Sequence, residues 1–411
     1  MTVGLRSRTA DRIKRVIVMV GLPARGKTHI ARRVTRYLKW QGVDARIFNV
    51  GSYRRERLGA HQPHSFFDPD NPDGQQARRA MAEAALADVL AWLEDGGEVA
   101  IYDATNITRA RRDWVQTSLE AHGVEVVFLE SVCNDPAIIE NNVRQTKIRS
   151  PDYVGVDPEK AVADFRARIA HYERSYEPLD DACRYIRLVD VGRQVVINRI
   201  RGWLLGSIVN LLTCVHLEPR TIYLSRHGES EYNALGRIGG DSGLTDNGAA
   251  YADRLAVHLH GVFGVEGDGI PVWTSTLQRT RRTAEPLGWK TRALKELDEI
   301  DAGTCDGMTY DEIRAALPLE YAARKADKLR YRYPRGESYQ DVVRRLEPVI
   351  LEIERHRGPL VIIAHQAVLR VLYAYFTNVP ASRIPHLQMP LHTLIALTPI
   401  AYGAEEDRTP L

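Results

Sequence analysis

The chain is 411 residues long, too long for one hydrophobic core of ordinary size, so two or three domains are expected. Its 44% hydrophobic and 27% charged residues are the balance of a folded globular protein, and a formal net charge of only +3 offers no general attraction to nucleic acid or to a membrane surface. No apolar run is long enough to span a bilayer. Cys133, Cys183, Cys214 and Cys305 are widely spaced, which fits reduced thiols in a cytoplasmic protein and neither a disulfide framework nor a zinc site.

Residues 1–12 read as a basic, poorly ordered tail and not as a signal peptide, because the apolar segment that follows, Val16–Val20, is strand-sized and runs straight into a glycine loop. That strand, the loop Gly21-Leu22-Pro23-Ala24-Arg25-Gly26-Lys27-Thr28 and a helical pattern from His29 to Trp40 give the strand, loop, helix order of a phosphate-binding Walker A motif. Backbone N–H groups would cradle the phosphates, Lys27 would reach the β and γ phosphates of ATP, and Thr28 could coordinate Mg²⁺. Strands at 45–50, 98–102, 125–129 and 185–191 then alternate with helices at 75–94, 108–122, 137–147 and 158–176, which predicts a doubly wound parallel α/β sheet. Asp103, at the end of the third strand, could hold Mg²⁺ or accept the proton of an acceptor hydroxyl; it could equally cap the next helix. Arg54, Arg55, Arg78, Arg79, Arg109, Arg111, Arg112 and Arg168 fall near loop or helix ends, a pattern suited to an anionic, phosphorylated acceptor.

Residues 192–212 carry apolar side chains at helical spacing and are expected to form a helix packed on this sheet. The boundary is expected at Leu217, with no long flexible linker and therefore docked domains. Beyond it, Thr221–Leu224 reads as a buried strand that delivers Arg226 and His227 into a loop, and Pro359–Ala364 is a second apolar run ending in His365. A neutral imidazole can attack phosphorus when a cation holds the phosphoryl oxygens and a carboxylic acid protonates the leaving oxygen. Arg226 and Arg279 supply the cations and Glu299 the acid. An Arg-His-Gly tripeptide alone would be an ordinary loop; two strands that each end in His, with Arg279 and Glu299 besides, favour phosphoryl transfer. A helix from Thr245 to about Phe263, strands at 272–274 and 393–397, and capping boxes at Thr309 with Glu312 and Ser338 with Asp341 complete a second α/β sheet.

Arg226-His227-Gly228-Glu229-Ser230 resembles the signature of the histidine phosphatase (phosphoglycerate mutase-like) superfamily, and Arg-Ile-Gly-Gly-Asp-Ser-Gly-Leu at 237–244 resembles its fructose-2,6-bisphosphatase branch. The first half resembles 6-phosphofructo-2-kinase through the Walker loop, Phe-Asn-Val-Gly-Ser-Tyr-Arg-Arg-Glu, Asp-Ala-Thr-Asn, Glu-Ser-Val-Cys and Ser-Pro-Asp-Tyr. The resemblance implies two doubly wound three-layer α/β/α domains, a P-loop NTPase-like kinase at 13–217 and a histidine phosphatase at 218–404, with 405–411 as a tail. It implies a bifunctional enzyme that makes fructose 2,6-bisphosphate from fructose 6-phosphate and MgATP and hydrolyses it again, setting glycolysis against gluconeogenesis, with no cofactor for the phosphatase and a homodimer formed through the kinase domains.

By the same resemblance, ATP would be held by residues 21–28 with Asn142 and Lys147, and fructose 6-phosphate by Arg54, Arg78, Thr105, Arg111, Lys147, Arg168 and Tyr172. Asp103 and Cys133 occupy positions treated as catalytic, although a kinase needs no thiol nucleophile and a small buried residue explains Cys133 as well. In the second half, His227 would be the phosphorylated nucleophile, with Arg226, Asn233, Arg279 and His365 around the 2-phosphoryl group and Glu299 as general acid. Gly239, Tyr310, Arg324, Lys328, Tyr339, Gln366 and Arg370 would hold the sugar and its 6-phosphate. Ser225 and Ala364 stand where members often carry Cys, and the short ends lack the phosphorylatable extensions of animal isoforms. Two other readings stay open: a nucleic-acid end-healing kinase and phosphatase, and a sugar-phosphate sensor with one or both sites silent.

Overall fold

The computed structural model describes residues 13–144, 150–216, 218–267, 269–400 and 403–411. The basic tail 1–12, Leu217 at the expected boundary, and Lys147 with the end of the helix expected to reach it lie outside the described residues. The chain divides into two compact units between Val215 and His216.

The first unit is built on six strands, β1 (Arg15–Val20), β2 (Ala45–Asn49), β3 (Val99–Asp103), β4 (Glu125–Val132), β5 (Tyr185–Val189) and β6 (Gln194–Asn198), in the order β2-β3-β1-β4-β5-β6. Pairing is parallel from β2 to β5, and β6 runs antiparallel to β5 at the edge. Val16, Val18 and Val20 are buried in one cluster with Phe48, Tyr102 and Phe128, which explains why β1 is apolar without alternation: a central parallel strand is covered on both faces. Between the strands lie α1 (Lys27–Trp40), α2 (Val50–Leu58), α3 (Pro72–Glu94), α4 (Arg109–Glu120), α5 (Pro136–Asn142) and α6 (Pro158–Glu173).

Two expectations are corrected here. Residues 192–212 are not one helix: Gln194–Asn198 is β6, and α7 (Trp203–Leu212) begins only after Gly202, whose φ of 86° no helix accommodates. The β-branched run Val195, Val196, Ile197 decides the matter against the helical spacing read across residues 192–212. β4 also runs three residues beyond Leu129, because Glu130 is buried, accepting a hydrogen bond from Tyr176 Oη at 2.6 Å and pairing with Arg187. A paired carboxylate can sit inside a strand that its polarity seems to end.

The second unit holds β7 (Ile222–Arg226), β8 (Val272–Thr274), β9 (Thr291–Ala293), β10 (Leu360–Ala364), β11 (Thr393–Ile400) and β12 (Gly403–Pro410), in the order β12-β11-β7-β10-β8-β9. β7, β10, β8 and β9 are parallel, and β11 and β12 add antiparallel strands at one edge. Residues 405–411, expected as a tail, are therefore mostly the outer strand of the sheet. Its Glu405, Glu406, Asp407 and Arg408 hide it from an apolar pattern and suit an unpaired edge, where charge discourages further pairing.

The helices of this unit are α8 (Glu231–Ala234), α9 (Asp246–Phe263), α10 (Gln278–Ala284), α11 (Tyr310–Ala316), α12 (Pro318–Ala326), α13 (Tyr339–Arg355) and α14 (Gln366–Thr377). Thr245 caps α9, and both expected capping boxes close, Thr309 with Glu312 and Ser338 with Asp341. No helix among the described residues is long and apolar enough to cross a membrane.

Candidate active sites

β7 and β10 are neighbours in register, with Ala364 opposite Arg226, so the residues that follow each strand emerge side by side. His227 N–H donates to the Ala364 carbonyl at 3.0 Å, and the rings of His227 and His365 stand 5.1 Å apart, centroid to centroid. α10 brings Arg279 between them. Its Nε lies 3.2 Å from His227 Nε2 and 3.3 Å from His365 Nδ1, and its Nη1 donates to the Gly240 carbonyl at 2.6 Å.

These contacts fix the protonation state of the His227 ring. The Gly228 carbonyl can only accept, so at 2.7 Å it places the His227 proton on Nδ1 and leaves a lone pair on Nε2. Burial, and then the Arg279 charge, holds the pKa of both imidazoles well below the ordinary histidine value, so both are neutral near pH 7. Burial also brings Arg226 down to about 10, which leaves it a cation; its Nη1 donates to the Met389 carbonyl at 3.0 Å.

Glu299 Oε1 accepts from the N–H groups of Ile300, at 2.9 Å, and Ala367, at 3.1 Å, which fixes the carboxyl group against the amino end of α14. Asn233 closes the capping box of α8, its Oδ1 accepting from Ser230 N at 3.1 Å. Both line a hollow of about 150 Å³, together with Arg226, His227, Gly239, Arg279, Tyr310, Arg324, Lys328, Tyr339, Gln366 and Arg370. Every expected phosphatase residue except His365 lines this one hollow. His365 is fully buried behind Arg279 and touches it there.

The far end of the hollow is cationic. Arg324 donates to Tyr333 Oη and Tyr310 Oη, both at 2.7 Å, Arg370 donates to Tyr339 Oη at 2.9 Å, and Lys328 Nζ donates to the Pro385 carbonyl at 2.9 Å. Burial, with Arg370 and Arg324 close by, pulls the Lys328 pKa down to about 8. Gly239 has a φ of 73° and a Cβ there would fall 1.7 Å from Asp306 Oδ1, so only glycine fits. Tyr232, Arg237, Tyr331 and Tyr333 also line the hollow and were not singled out from sequence; the aromatic cluster Tyr331-Arg332-Tyr333 was the available signal.

In the first unit the loop of residues 21–28 leaves the carboxyl end of β1, between β3 and β4, where strand order switches direction. Thr28 Oγ1 donates to Asp103 Oδ2 at 2.8 Å, and Asn49 Nδ2 donates to the same oxygen at 2.6 Å. Lys27 Nζ rests on the Leu22 carbonyl at 2.6 Å, and Arg25 pairs with Glu173 at 3.3 Å. Gly21 needs its φ of 137° and its hydrogen: a Cβ would lie 2.4 Å from the Ser131 carbonyl oxygen. Asn142 Nδ2 donates to the Ala24 carbonyl at 3.0 Å, tying α5 to the loop, and Thr105 enters through its carbonyl, which accepts from Gly21 N at 2.9 Å.

Arg54 and Arg168 converge on Asp152 at 2.6 and 3.6 Å, the Arg168 guanidinium lies 3.6 Å from the centre of the Phe67 ring, and the Tyr172 ring lies 6.1 Å from the same ring, centroid to centroid. Arg78 donates to the Phe66 carbonyl, and Arg111, beside Tyr102, shares the Trp114 ring with Arg79. Arg112 is different: it is buried and donates to the carbonyls of Asn106, Ile107, Glu177 and Pro178, a structural role that removes it from the acceptor set. Arg109 is exposed and pairs with Asp113 and Asp180. Cys133 is buried, and burial pushes its thiol pKa up. A larger hollow, about 520 Å³, lies at the opposite, amino-terminal end of β1 and β4 and contains none of the expected residues.

A Walker loop on one sheet and a two-histidine cleft on another define a P-loop kinase followed by a histidine phosphatase. The family model for 6-phosphofructo-2-kinase matches residues 4–219, and that for the histidine phosphatase superfamily (branch 1) matches residues 222–408. The chain is 49% identical over 397 residues to a 6-phosphofructo-2-kinase/fructose-2,6-bisphosphatase of Gallus gallus, covering 95% of this chain and 84% of that one. It is 50% identical over 397 residues to the enzyme numbered 4 of Homo sapiens, with the same coverage, and 50% identical over 398 residues to one of Arabidopsis thaliana, of which it spans 53%. The chain belongs to the 6-phosphofructo-2-kinase/fructose-2,6-bisphosphatase family.

Proposed function

We propose that the second unit hydrolyses the 2-phosphate of fructose 2,6-bisphosphate and that the first transfers the γ-phosphoryl of MgATP to the 2-hydroxyl of fructose 6-phosphate. The observation that carries the first half is the neutral, Nδ1-protonated His227 whose Nε2 lone pair faces Arg279. His227 Nε2 attacks phosphorus, the bond from phosphorus to the sugar 2-oxygen breaks, and Glu299 gives its proton to that oxygen. Water then attacks the phosphohistidine, Glu299 takes its proton, the phosphorus–nitrogen bond breaks, and inorganic phosphate leaves. Arg226, Arg279 and Asn233 surround the phosphoryl group, with His365 behind Arg279 as its support, while Arg324, Lys328 and Arg370 hold the 6-phosphate with Tyr310, Tyr339, Gln366 and Gly239 around the sugar.

In the kinase, Lys27 and the loop would hold the triphosphate, and the hydroxyl–carboxylate pair of Thr28 and Asp103 fits a Mg²⁺ bound also by phosphate oxygens. MgATP supplies the phosphoryl group when bound. Asp103 would orient the acceptor hydroxyl, and Arg54, Arg78, Arg111, Arg168 and Tyr172 are the groups proposed for the acceptor's phosphate and ring. The phosphatase needs no cofactor in this reading. The four free thiols support a cytoplasmic protein. The domain bounds near residue 217 and a homodimer are carried over with the family.

The test is one incubation with fructose 6-phosphate and labelled ATP: label on the sugar reports the kinase, and acid-labile label on His227 reports the phosphatase intermediate. Absence of both overturns the reading.

A further inference from the structure

We propose that Ser275 is a positioning residue that fixes which ring nitrogen of His365 carries the proton, and through it holds Arg279 in place during the phosphatase cycle; this rests on the phosphatase reading above. The argument is one of donors and acceptors. Ser275 Oγ lies 2.8 Å from His365 Nε2 and 2.8 Å from Thr280 Oγ1. Thr280 Oγ1 also lies 2.9 Å from the Leu277 carbonyl and 3.3 Å from the Ser275 carbonyl, which only accept. The Thr280 proton is therefore committed to a carbonyl, and its oxygen must accept from Ser275. With its own proton given to Thr280, Ser275 Oγ can only accept from the other side, as it already does from Leu277 N–H at 3.1 Å. His365 must then donate from Nε2.

The other end of the ring agrees. Arg279 Nε has a hydrogen to give and faces His365 Nδ1, which must offer a lone pair. Ser275, Thr280 and His365 are fully buried, so no solvent water can take over the hydroxyl's part. Successive residues of α10 thus clamp one imidazole: Arg279 directly at Nδ1, Thr280 through Ser275 at Nε2.

The consequence concerns the covalent stage. In the resting site Arg279 Nε–H is shared between His227 Nε2 and His365 Nδ1. When His227 Nε2 commits its lone pair to phosphorus, His365 Nδ1 is the acceptor that remains, and Arg279 stays beside the phosphoryl group. A His365 carrying its proton on Nδ1 would face Arg279 donor to donor and release it.

Nitrogen NMR of the full-length protein labelled in its histidines, with His365 assigned by comparison with His365→Gln, tests the first step. The expected spectrum shows Nε2 protonated and Nδ1 bare; a protonated Nδ1 with a bare Nε2 overturns the proposal. Ser275→Ala is expected to lower phosphatase kcat on the order of 100-fold, as loss of one preorganised donor to the reacting group does, with KM within about threefold because the sugar end is held elsewhere. Ser275→Thr, which keeps the hydroxyl, restores most of the loss, and Thr280→Val shifts tautomer and kcat in the direction of Ser275→Ala. Full turnover of Ser275→Ala in an otherwise active enzyme overturns the positioning role alone. A wild-type enzyme without phosphatase turnover overturns the reading beneath it.

Discussion

His227 and His365 share one buried cleft with ring planes tilted 55° to each other and 5.1 Å between centroids, and both are held neutral. Neutral burial has a cost that depends on pH. In the unfolded chain each ring takes a proton as pH falls through about 6.5, while in the folded chain its lowered pKa delays this. Their contribution is therefore fully present above about pH 6.5 and is lost as pH falls below it, by up to about 1.4 kcal/mol per pH unit for each ring. Denaturant unfolding at pH 5.0 and 7.5 is expected to show this loss, and the double variant His227→Gln, His365→Gln to show a shallower one. An equal pH slope in the double variant would contradict the neutral pair.

The two activities should separate cleanly. His227→Ala is expected to reduce phosphatase turnover by about three orders of magnitude or more, as loss of a nucleophile does, and to leave sugar phosphorylation within about twofold. Lys27→Ala is expected to do the reverse. Steady-state assays of both reactions on both variants check this, and bisphosphatase turnover in His227→Ala would show that another group is the nucleophile.

Gly21→Ala is a test of the loop's backbone and not of its charges. The new methyl group would lie 2.4 Å from the Ser131 carbonyl oxygen at a φ of 137° that alanine rarely adopts, so the loop must move. Kinase kcat/KM for ATP is expected to fall by at least about tenfold, since misplaced phosphate contacts are costly, while phosphatase turnover is unchanged. Near-normal ATP use would mean the loop adapts without consequence.

The parts of this molecule that could be read from sequence are those whose cause is local. The Walker loop, the two strands ending in His and the capping boxes depend on neighbours within a few residues, and all appear where the spacing put them. What stayed hidden depends on distant partners. β6 required an antiparallel neighbour that no local pattern announces, and Glu130 continues β4 only because Tyr176 and Arg187 satisfy it. Ser275 escaped because a hydroxyl in a loop carries no signal until the ring it touches, ninety residues away, is brought to it, and Thr280, on α10, reaches that ring only through Ser275. Arg112 erred the other way: arginine near a helix start suggests an anion, and four carbonyls claimed it instead.

Lys328 titrates within reach of ordinary buffers. With its pKa pulled down to about 8, the ammonium loses its proton as pH rises through that value, and the charge it adds beside Arg324 and Arg370 is lost. KM for fructose 2,6-bisphosphate is expected to rise above about pH 8 with kcat little changed, since the group is remote from the reacting phosphorus. Lys328→Arg, which stays charged there, should abolish the alkaline rise. A KM that climbs equally in the Arg variant would assign the titration to another group.

Cys133 offers the sharpest choice between chemistry and packing. A catalytic cysteine acts as thiolate and needs a lowered pKa and access. This thiol is buried, with its pKa pushed up by that burial, and its Sγ comes no closer than 4.0 Å to the Asp135 carbonyl. Cys133→Ala removes one small buried atom and is expected to keep kinase kcat within about threefold, with a stability loss of about 1 kcal/mol for the cavity. A fall in kcat on the order of 100-fold at unchanged KM, in a variant that still unfolds cooperatively, would mean that the thiol contributes to the transition state itself.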